Sequence, residues 1–236
     1  MNKNKRQEVE EMFDAIAPKY DLLNHLLSFG IDKGWRKKLA KIVAASSPKK
    51  VLDVATGTAD LIIAMQKKCG SDCKFVGGDI STLMLERGKV KLKKLGIEAE
   101  LMVADALELP FESGEFDALS CAFGVRNFAD VEKGVSQMAR VIRSGGVCCI
   151  LEYSPQKRRS LWNSLFRFYF SKILPFIGGL ISGNRAAYSY LPNSVEGFCT
   201  EGEFLEILSA VGFEKVSARS IMGGVVTLYT GYKKKL

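Results

Sequence analysis

Asp53, Asp79 and Asp105 are the residues of this chain whose type and spacing could do chemistry together. Each closes a short apolar run: Val51-Leu52 before Asp53, Phe75-Val76-Gly77-Gly78 before Asp79, Val103-Ala104 before Asp105. Such runs read as buried strands ending in an acid. After Asp53 the chain continues V-A-T-G-T-A-D (54–60), a tight turn with one glycine that opens a helix. An α/β sheet builds a nucleoside pocket this way, at the carboxyl ends of its strands. Three carboxylates would repel the pyrophosphate of a dinucleotide. They suit a ligand that joins adenosine to a cationic centre, such as S-adenosyl-L-methionine.

Each residue then has an expected task. Gly57 lets backbone approach the ligand where a Cβ would collide. Thr58 offers a hydroxyl and an N–H to a carboxylate at the helix start. Asp53 would take the amino group of the methionine portion, directly or through water. Asp79 is placed to accept both ribose hydroxyls, with Ile80 beside it in the cofactor set. Asp105 and the Ala106 amide would read the adenine edge. The plain alternative for any one of these acids is a helix cap.

The elements that must position them alternate. Strands are expected near 50–54, 74–80, 99–105, 116–123 and 146–153, with helices near 60–69, 82–95 and 131–143. That rhythm implies right-handed βαβ units and a mostly parallel sheet covered on both faces. The expected fold class is therefore α/β and Rossmann-like. Helices at 5–18 and 33–45 precede the first strand. A helix at 201–211 and two strands near 214–221 and 225–232, joined at Met222-Gly223-Gly224, end the chain. One domain over 1–236 is expected. It comprises a helical lid (1–47), a cofactor-binding core (48–153), a substrate- or membrane-facing insert (154–200) and a C-terminal helix and strand pair (201–236).

Length and composition agree with one globular domain: 236 residues, 47% hydrophobic and 25% charged. The polar start Met1-Asn2-Lys3-Asn4-Lys5-Arg6 lacks the apolar stretch of a signal peptide. No apolar run is long enough for a bilayer span, so a cytoplasmic location is expected, with contact at the inner face of the membrane as an extension. The six cysteines form no C-x-x-C pair and His25 is the only histidine, so no metal site is expected. Cys121, Cys148 and Cys149 fall in strand patterns and read as small buried hydrophobes. The net charge of +8 draws either nucleic acid or anionic lipid.

The residues go beyond a generic pattern. M-F-D-A-I-A-P-K-Y-D-L-L-N-H-L-L-S-F-G (12–30), A-L-E-L-P-F (106–111), F-G-V-R-N (123–127), I-L-E-Y-S (150–154), Y-S-Y-L-P-N-S-V (188–195) and G-G-V-V-T-L-Y-T-G (223–231) span nearly the whole chain. With V-L-D-V-A-T-G-T-A-D, they resemble the methyltransferase family of menaquinone and ubiquinone synthesis (the UbiE/MenG/Coq5 family). The resemblance implies a seven-stranded methyltransferase fold and methylation of a prenylated demethylmenaquinol, or a close relative, at a ring carbon. Four positions depart from the family pattern. Ala59 replaces the glycine of G-T-G-D. Ala122 stands in the cofactor set where many relatives carry serine, so a hydroxyl contact is lost. Tyr153 replaces phenylalanine, and Tyr229 replaces a histidine.

Methylating a quinol at carbon needs position and a phenolate more than a strong base. Arg126 is the expected catalytic residue, placed past the fourth strand to stabilise the phenolate, and the resemblance points to it too. Asn127 would orient a water or a ring oxygen. The competing use of Arg126 is an ion pair with Asp14, Asp130 or Glu152. Phe13, Tyr20 and Asn24 are expected on the inner face of the lid. Phe13, Tyr20, Tyr153, Tyr188 and Tyr190 form the expected substrate set. Residues 160–181, with Trp162, Phe166, Phe168, Tyr169 and Phe170 beside Arg167 and Lys172, read as a hydrophobic port that touches lipid. Their alternative use is a homodimer contact or an insert packed on the core. An RNA methyltransferase is the rival enzyme reading, but F-G-V-R-N stands where base-amine enzymes carry D/N-P-P-Y/F, so no nucleic-acid partner is expected. A scaffold that binds cofactor without turnover is the non-enzyme reading.

Overall fold

The computed structural model describes residues 3–22, 28, 30–155, 168, 169, 173 and 185–235, without the side chains of 3, 4 and 185–189. Helix α1 (Lys3–Ile16) and a short 3-10 turn (Ala17–Lys19) lead to α2 (Ile31–Ala45). Then strand and helix alternate: β1 (Lys50–Val54), α3 (Asp60–Cys69), β2 (Lys74–Asp79), α4 (Thr82–Lys94), β3 (Glu100–Val103), β4 (Phe116–Ala122), α5 (Val131–Val141) and β5 (Ile142–Tyr153). Helices α6 (Arg185–Glu196) and α7 (Glu201–Ala210) precede the hairpin of β6 (Phe213–Ile221) and β7 (Val226–Lys233).

The seven strands form one sheet in the order β3-β2-β1-β4-β5-β7-β6. Strands β1 to β5 pair in parallel, and β7 runs antiparallel between β5 and β6. The expected α/β Rossmann-like class is thus the observed one. The chain order reverses between β1 and β4, and the crevice outside the carboxyl ends of such strands is where α/β sheets bind ligands.

Alternation within the strands sorts two cores onto the two faces. Leu52 and Val54 of β1, Leu119 and Cys121 of β4, and Cys148 and Ile150 of β5 pack against α5 and α7. Val51, Ala118, Cys149 and Leu151 pack against α2, α3 and α4. Each fully buried Leu, Val or Ile contributes about 1.5–3 kcal/mol, so the sheet is held from both sides. Cys121, Cys148 and Cys149 are free and buried, in line with the apolar reading.

Three helix starts are set by local side chains. Ser81 caps α4 by accepting from the Met84 N–H at 3.1 Å. Asp130 caps α5 by accepting from the Lys133 N–H at 2.9 Å. Thr200 and Glu203 form a capping box on α7; such caps contribute about 1 kcal/mol each. The cap of α4 is therefore Ser81, which frees Asp79 for other work. A third apolar cluster joins the N-terminal segment to the body: Ile16 and Ala17 pack with Met84 of α4 and Val195 of α6.

Candidate functional site

A cleft opens at the carboxyl ends of β1 to β4. Its wall takes Ala55 and Gly57 from the exit of β1, Asp79 at the end of β2 and Ile80 after it, Asp105 and Ala106 after β3, and Ala122 at the end of β4 with Phe123 and Asn127 after it. Val9, Phe13 and Tyr20 supply one further wall from the N-terminal segment. The empty space, mouth included, is about 760 Å³, within the range of small-molecule sites, about 300–1,000 Å³.

Two glycines shape the exits. Gly57 has φ +54°, a left-handed conformation, and a Cβ there would meet no protein atom within 4 Å. The protein needs glycine here for its backbone, and only a ligand would meet the Cβ. Gly124 is different: its Cβ would lie 2.5 Å from the Ala55 Cβ and 2.9 Å from the Cys121 Sγ. This glycine in F-G-V-R-N lets the exits of β4 and β1 touch.

Asp79 stands on the wall. One carboxylate oxygen accepts the Gly57 N–H at 2.8 Å and the other accepts the Ser81 N–H at 2.9 Å. Burial raises its pKa, against the pull of these N–H groups. Each oxygen keeps a lone pair for a ligand hydroxyl. Asp105 accepts the Leu107 N–H at 2.9 Å and pairs with the Arg6 Nε at 3.2 Å. The acceptors Asp79 and Asp105, the apolar neighbours Ile80, Ala106, Leu107 and Phe128, and the cradle at Gly57 fit an adenosine with a cationic tail.

Asp53 and Thr58 are placed otherwise than expected. Asp53 is buried behind the loop, accepting from the Thr56 hydroxyl at 2.7 Å and from the Ser120 hydroxyl at 2.7 Å. Its serine partner comes from β4, so Asp53 ties two strand ends together rather than facing the cleft. The Thr58 hydroxyl is also buried; it donates to Asp21 and accepts from the Lys91 Nζ at 2.9 Å. Lys91 also pairs with Asp21 at 2.6 Å and Asp60 at 2.7 Å. Thr58 thus meets the N-terminal segment.

Burial pushes the Asp53 carboxyl up to about 7 from 3.8. The folded chain then holds this proton more tightly than the unfolded one, so stability falls as pH rises from 3.8 to about 7, at up to ~1.4 kcal/mol per unit. Asparagine can replace the acid at little cost, because both hydroxyl partners can turn to accept. Asp53→Asn is expected to flatten the decline and to be more stable than wild type on the alkaline side. Urea unfolding across that window measures it; parallel curves would remove the assigned role.

Arg126 follows β4 in a 3-10 turn (Val125–Asn127). Its side chain is nearly buried and does not line the cleft. Nη1 pairs with Glu152 at 2.8 Å and also donates to the Phe123 carbonyl, while Nε donates to the Ser194 Oγ at 3.2 Å. Of the three carboxylates weighed for an ion pair, Glu152 holds it. Burial works against the charge, but Glu152 outweighs it and the guanidinium stays protonated. Its carbon lies 5.6 Å from the centre of the Tyr153 ring. Tyr153 stacks on Phe123 with centroids 4.7 Å apart. Asn127 reaches the cleft wall and accepts from the Tyr190 hydroxyl at 3.2 Å. Burial raises the pKa of both Tyr153 and Tyr190, so both remain phenols.

The structure therefore brings Gly57, Asp79, Ile80, Asp105, Ala106, Ala122, Phe13, Tyr20 and Asn127 to one cleft. Arg126, Tyr153 and Tyr190 adjoin it. The Tyr188 side chain lies outside the described residues, as do Asn24, His25, Trp162, Phe166, Arg167, Phe170 and Lys172. Of the aromatic port, Phe168 is exposed and Tyr169 packs against the third apolar cluster. Reading the sequence missed Arg6 and Phe123 as site residues, while Glu152 was among the expected partners of Arg126. Phe123 lies inside F-G-V-R-N, so the motif held the signal. Arg6 carried none.

The chain matches the ubiE/COQ5 methyltransferase family over residues 1–233. It belongs to that family. It is 43% identical over 233 residues to a demethylmenaquinone methyltransferase of Deinococcus radiodurans, covering 98% of this chain and 95% of that one. It is 41% identical over 231 residues to a ubiquinone/menaquinone biosynthesis C-methyltransferase UbiE of Geotalea uraniireducens, covering 97% of each. Among solved structures, a SAM-dependent methyltransferase from Aquifex aeolicus aligns with a TM-score of 0.57 at 18% identity, over 78% of this chain and 81% of that one. That likeness is one of fold.

Proposed function

We infer that this family member transfers a methyl group from S-adenosyl-L-methionine to a ring carbon of a prenylated quinol, converting demethylmenaquinol to menaquinol. The observation that carries the reading is a juxtaposition. Asn127 lines a cleft bearing Asp79 and Asp105, and its neighbour Arg126 is a buried, permanently charged group. When bound, S-adenosyl-L-methionine supplies a methyl already activated on a sulfonium. Asp79 would accept the ribose hydroxyls, Asp105 and the Ala106 amide would face the adenine, and Gly57 would let the loop approach. Ile80 and Ala122 would add contact, and α1 with Phe13 and Tyr20 would act as the lid over residues 1–47.

Arg126 lowers the pKa of a ring hydroxyl and holds the phenolate, which makes the ortho carbon electron-rich. Asn127 orients the water that takes the hydroxyl proton. As the C–C bond forms and the C–S bond breaks, the ring carbon's own proton must leave. The ring then regains aromaticity, the hydroxyl is reprotonated, and one net proton enters solution. Tyr153 and Tyr190, held as phenols, would flank the ring rather than act as bases, with the Tyr190 hydrogen already given to Asn127, and Tyr188 completes the substrate set. The three remaining parts of the chain, 48–153, 154–200 and 201–236, would serve as cofactor core, substrate-facing insert and sheet closure.

No helix among the described residues is long and apolar enough to cross a membrane. The basic charge and the exposed ring of Phe168 support transient contact with an anionic membrane at the inner face of the cell membrane. A homodimer is the competing use of that face. The test is transfer of a labelled methyl to reduced short-chain demethylmenaquinone. Label in the quinone fraction is expected. Bound cofactor with no labelled quinol would overturn the substrate, and label in RNA or in a benzoquinol offered in parallel would replace it.

A further inference from the structure

We propose that Ser194 is a positioning residue for methyl transfer, which aims the Arg126 guanidinium from helix α6. The inference rests on the reading that Arg126 stabilises the quinol's phenolate. Ser194 is 68 residues from Arg126 in sequence, and its Oγ accepts from the Arg126 Nε at 3.2 Å. The hydroxyl's own hydrogen is committed elsewhere: it donates to the Leu191 carbonyl at 2.9 Å. That bond fixes the rotor, so the oxygen faces Arg126 as an acceptor only.

The guanidinium is then held at two of its three nitrogens. Ser194 takes Nε, while Glu152 and the Phe123 carbonyl take Nη1. Among the described residues no acceptor takes Nη2, which leaves it as the nitrogen for a ring oxygen that reaches past the cleft wall at Asn127 to the adjoining guanidinium. Glu152 and the Phe123 carbonyl hold only the Nη1 end of the guanidinium. The contact at Nε holds its other edge, so the angle at which Nη2 is presented depends on Ser194.

The same face of α6 makes another tie. Tyr190, one turn before Ser194, donates to Asn127 at 3.2 Å. Two side chains at i and i+4 therefore clamp α6 to two consecutive residues, Arg126 and Asn127. The packing that seats α6 is apolar and separate: Leu191 and Val195 join Ile16, Ala17 and Met84. Removing one hydroxyl leaves that packing in place, so the variant should fold.

The experiment compares Ser194→Ala and Ser194→Thr with wild type. It reads kcat and KM for reduced short-chain demethylmenaquinone across pH, and cofactor binding by calorimetry. Ser194→Ala is expected to bind cofactor as wild type does and to lose about 10- to 100-fold in kcat, the scale of a misplaced catalytic group. The acid limb of its pH profile should move to higher pH, because the quinol hydroxyl is no longer assisted. Ser194→Thr keeps the acceptor and should recover most of kcat and the wild-type limb. A merely structural role would lower cofactor binding and kcat together without moving the limb, and that result would overturn the proposal. So would wild-type kinetics in Ser194→Ala. If wild type itself methylates no quinol, the function reading fails first, and that failure is visible in the wild-type arm alone.

Discussion

Arg126→Ala is expected to lose turnover and about 3–5 kcal/mol of stability together. The second loss follows from Glu152, whose side chain is 0% exposed and whose pairing with Nη1 spans 2.8 Å. Truncating the arginine leaves that carboxylate buried without its cation. The Arg126 and Tyr153 N–H groups would still donate to it, at 3.2 Å and 2.8 Å, but they carry no net charge. A domain of this size has only about 5–15 kcal/mol in total, so a dead single variant would say little about catalysis. The double variant Arg126→Met with Glu152→Gln separates the effects. It removes both charges and fills the space, which is often neutral for a buried pair. It should regain most of the stability, read by urea unfolding, and still fail to methylate. Restored methylation would exclude Arg126 from the chemistry; a stable Arg126→Ala would contradict the energetics.

Asp79→Asn is expected to weaken S-adenosyl-L-methionine by about 100-fold or more. Both oxygens of Asp79 accept backbone N–H groups, from Gly57 at 2.8 Å and from Ser81 at 2.9 Å. Backbone donors cannot turn into acceptors. An amide has one oxygen to offer, so its NH₂ must confront an N–H or swing away. Ribose hydroxyls would also lose a charged acceptor, at about 1.5–3 kcal/mol for each such bond. Asp53→Asn is the built-in contrast, since there both partners are hydroxyls that can reverse. Calorimetry of the two variants should show a large loss at Asp79 and a small one at Asp53. An Asp79→Asn affinity within a few-fold of wild type would remove the ribose assignment.

The strands and most helices were legible because their apolar periods are local. β1 at Lys50–Val54 and α3 at Asp60–Cys69 coincide with the expected spans. Tasks set by distant partners were not legible. Asp53 and Asp79 look alike in sequence, each an acid closing an apolar run. What separates them is Ser120, 67 residues from Asp53, against a backbone N–H two residues after Asp79. Thr58 shows the same effect, because its partners Asp21 and Lys91 come from the segment before β1 and from α4. The Arg126 pairing was narrowed to three acids, and only the parallel pairing of β4 with β5 puts Glu152 beside it.

The N-terminal segment carries a consequence for timing. Lys5 donates to the Phe128 carbonyl at 2.7 Å, Arg6 pairs with Asp105, Asp14 accepts from Ser81, and Asp21 meets Thr58 and Lys91. These ties clasp both banks of the cleft, so wide opening for a spent nucleoside to depart must break several at once. The ion pairs among them, Arg6 with Asp105 and Lys91 with Asp21, are partly exposed, and exposed ion pairs contribute at most about 1 kcal/mol. The clasp is therefore suited to frequent release rather than to permanent closure. Added salt would loosen its charged pairs, making the clock of product departure, rather than the affinity of any one contact, the quantity that ionic strength sets.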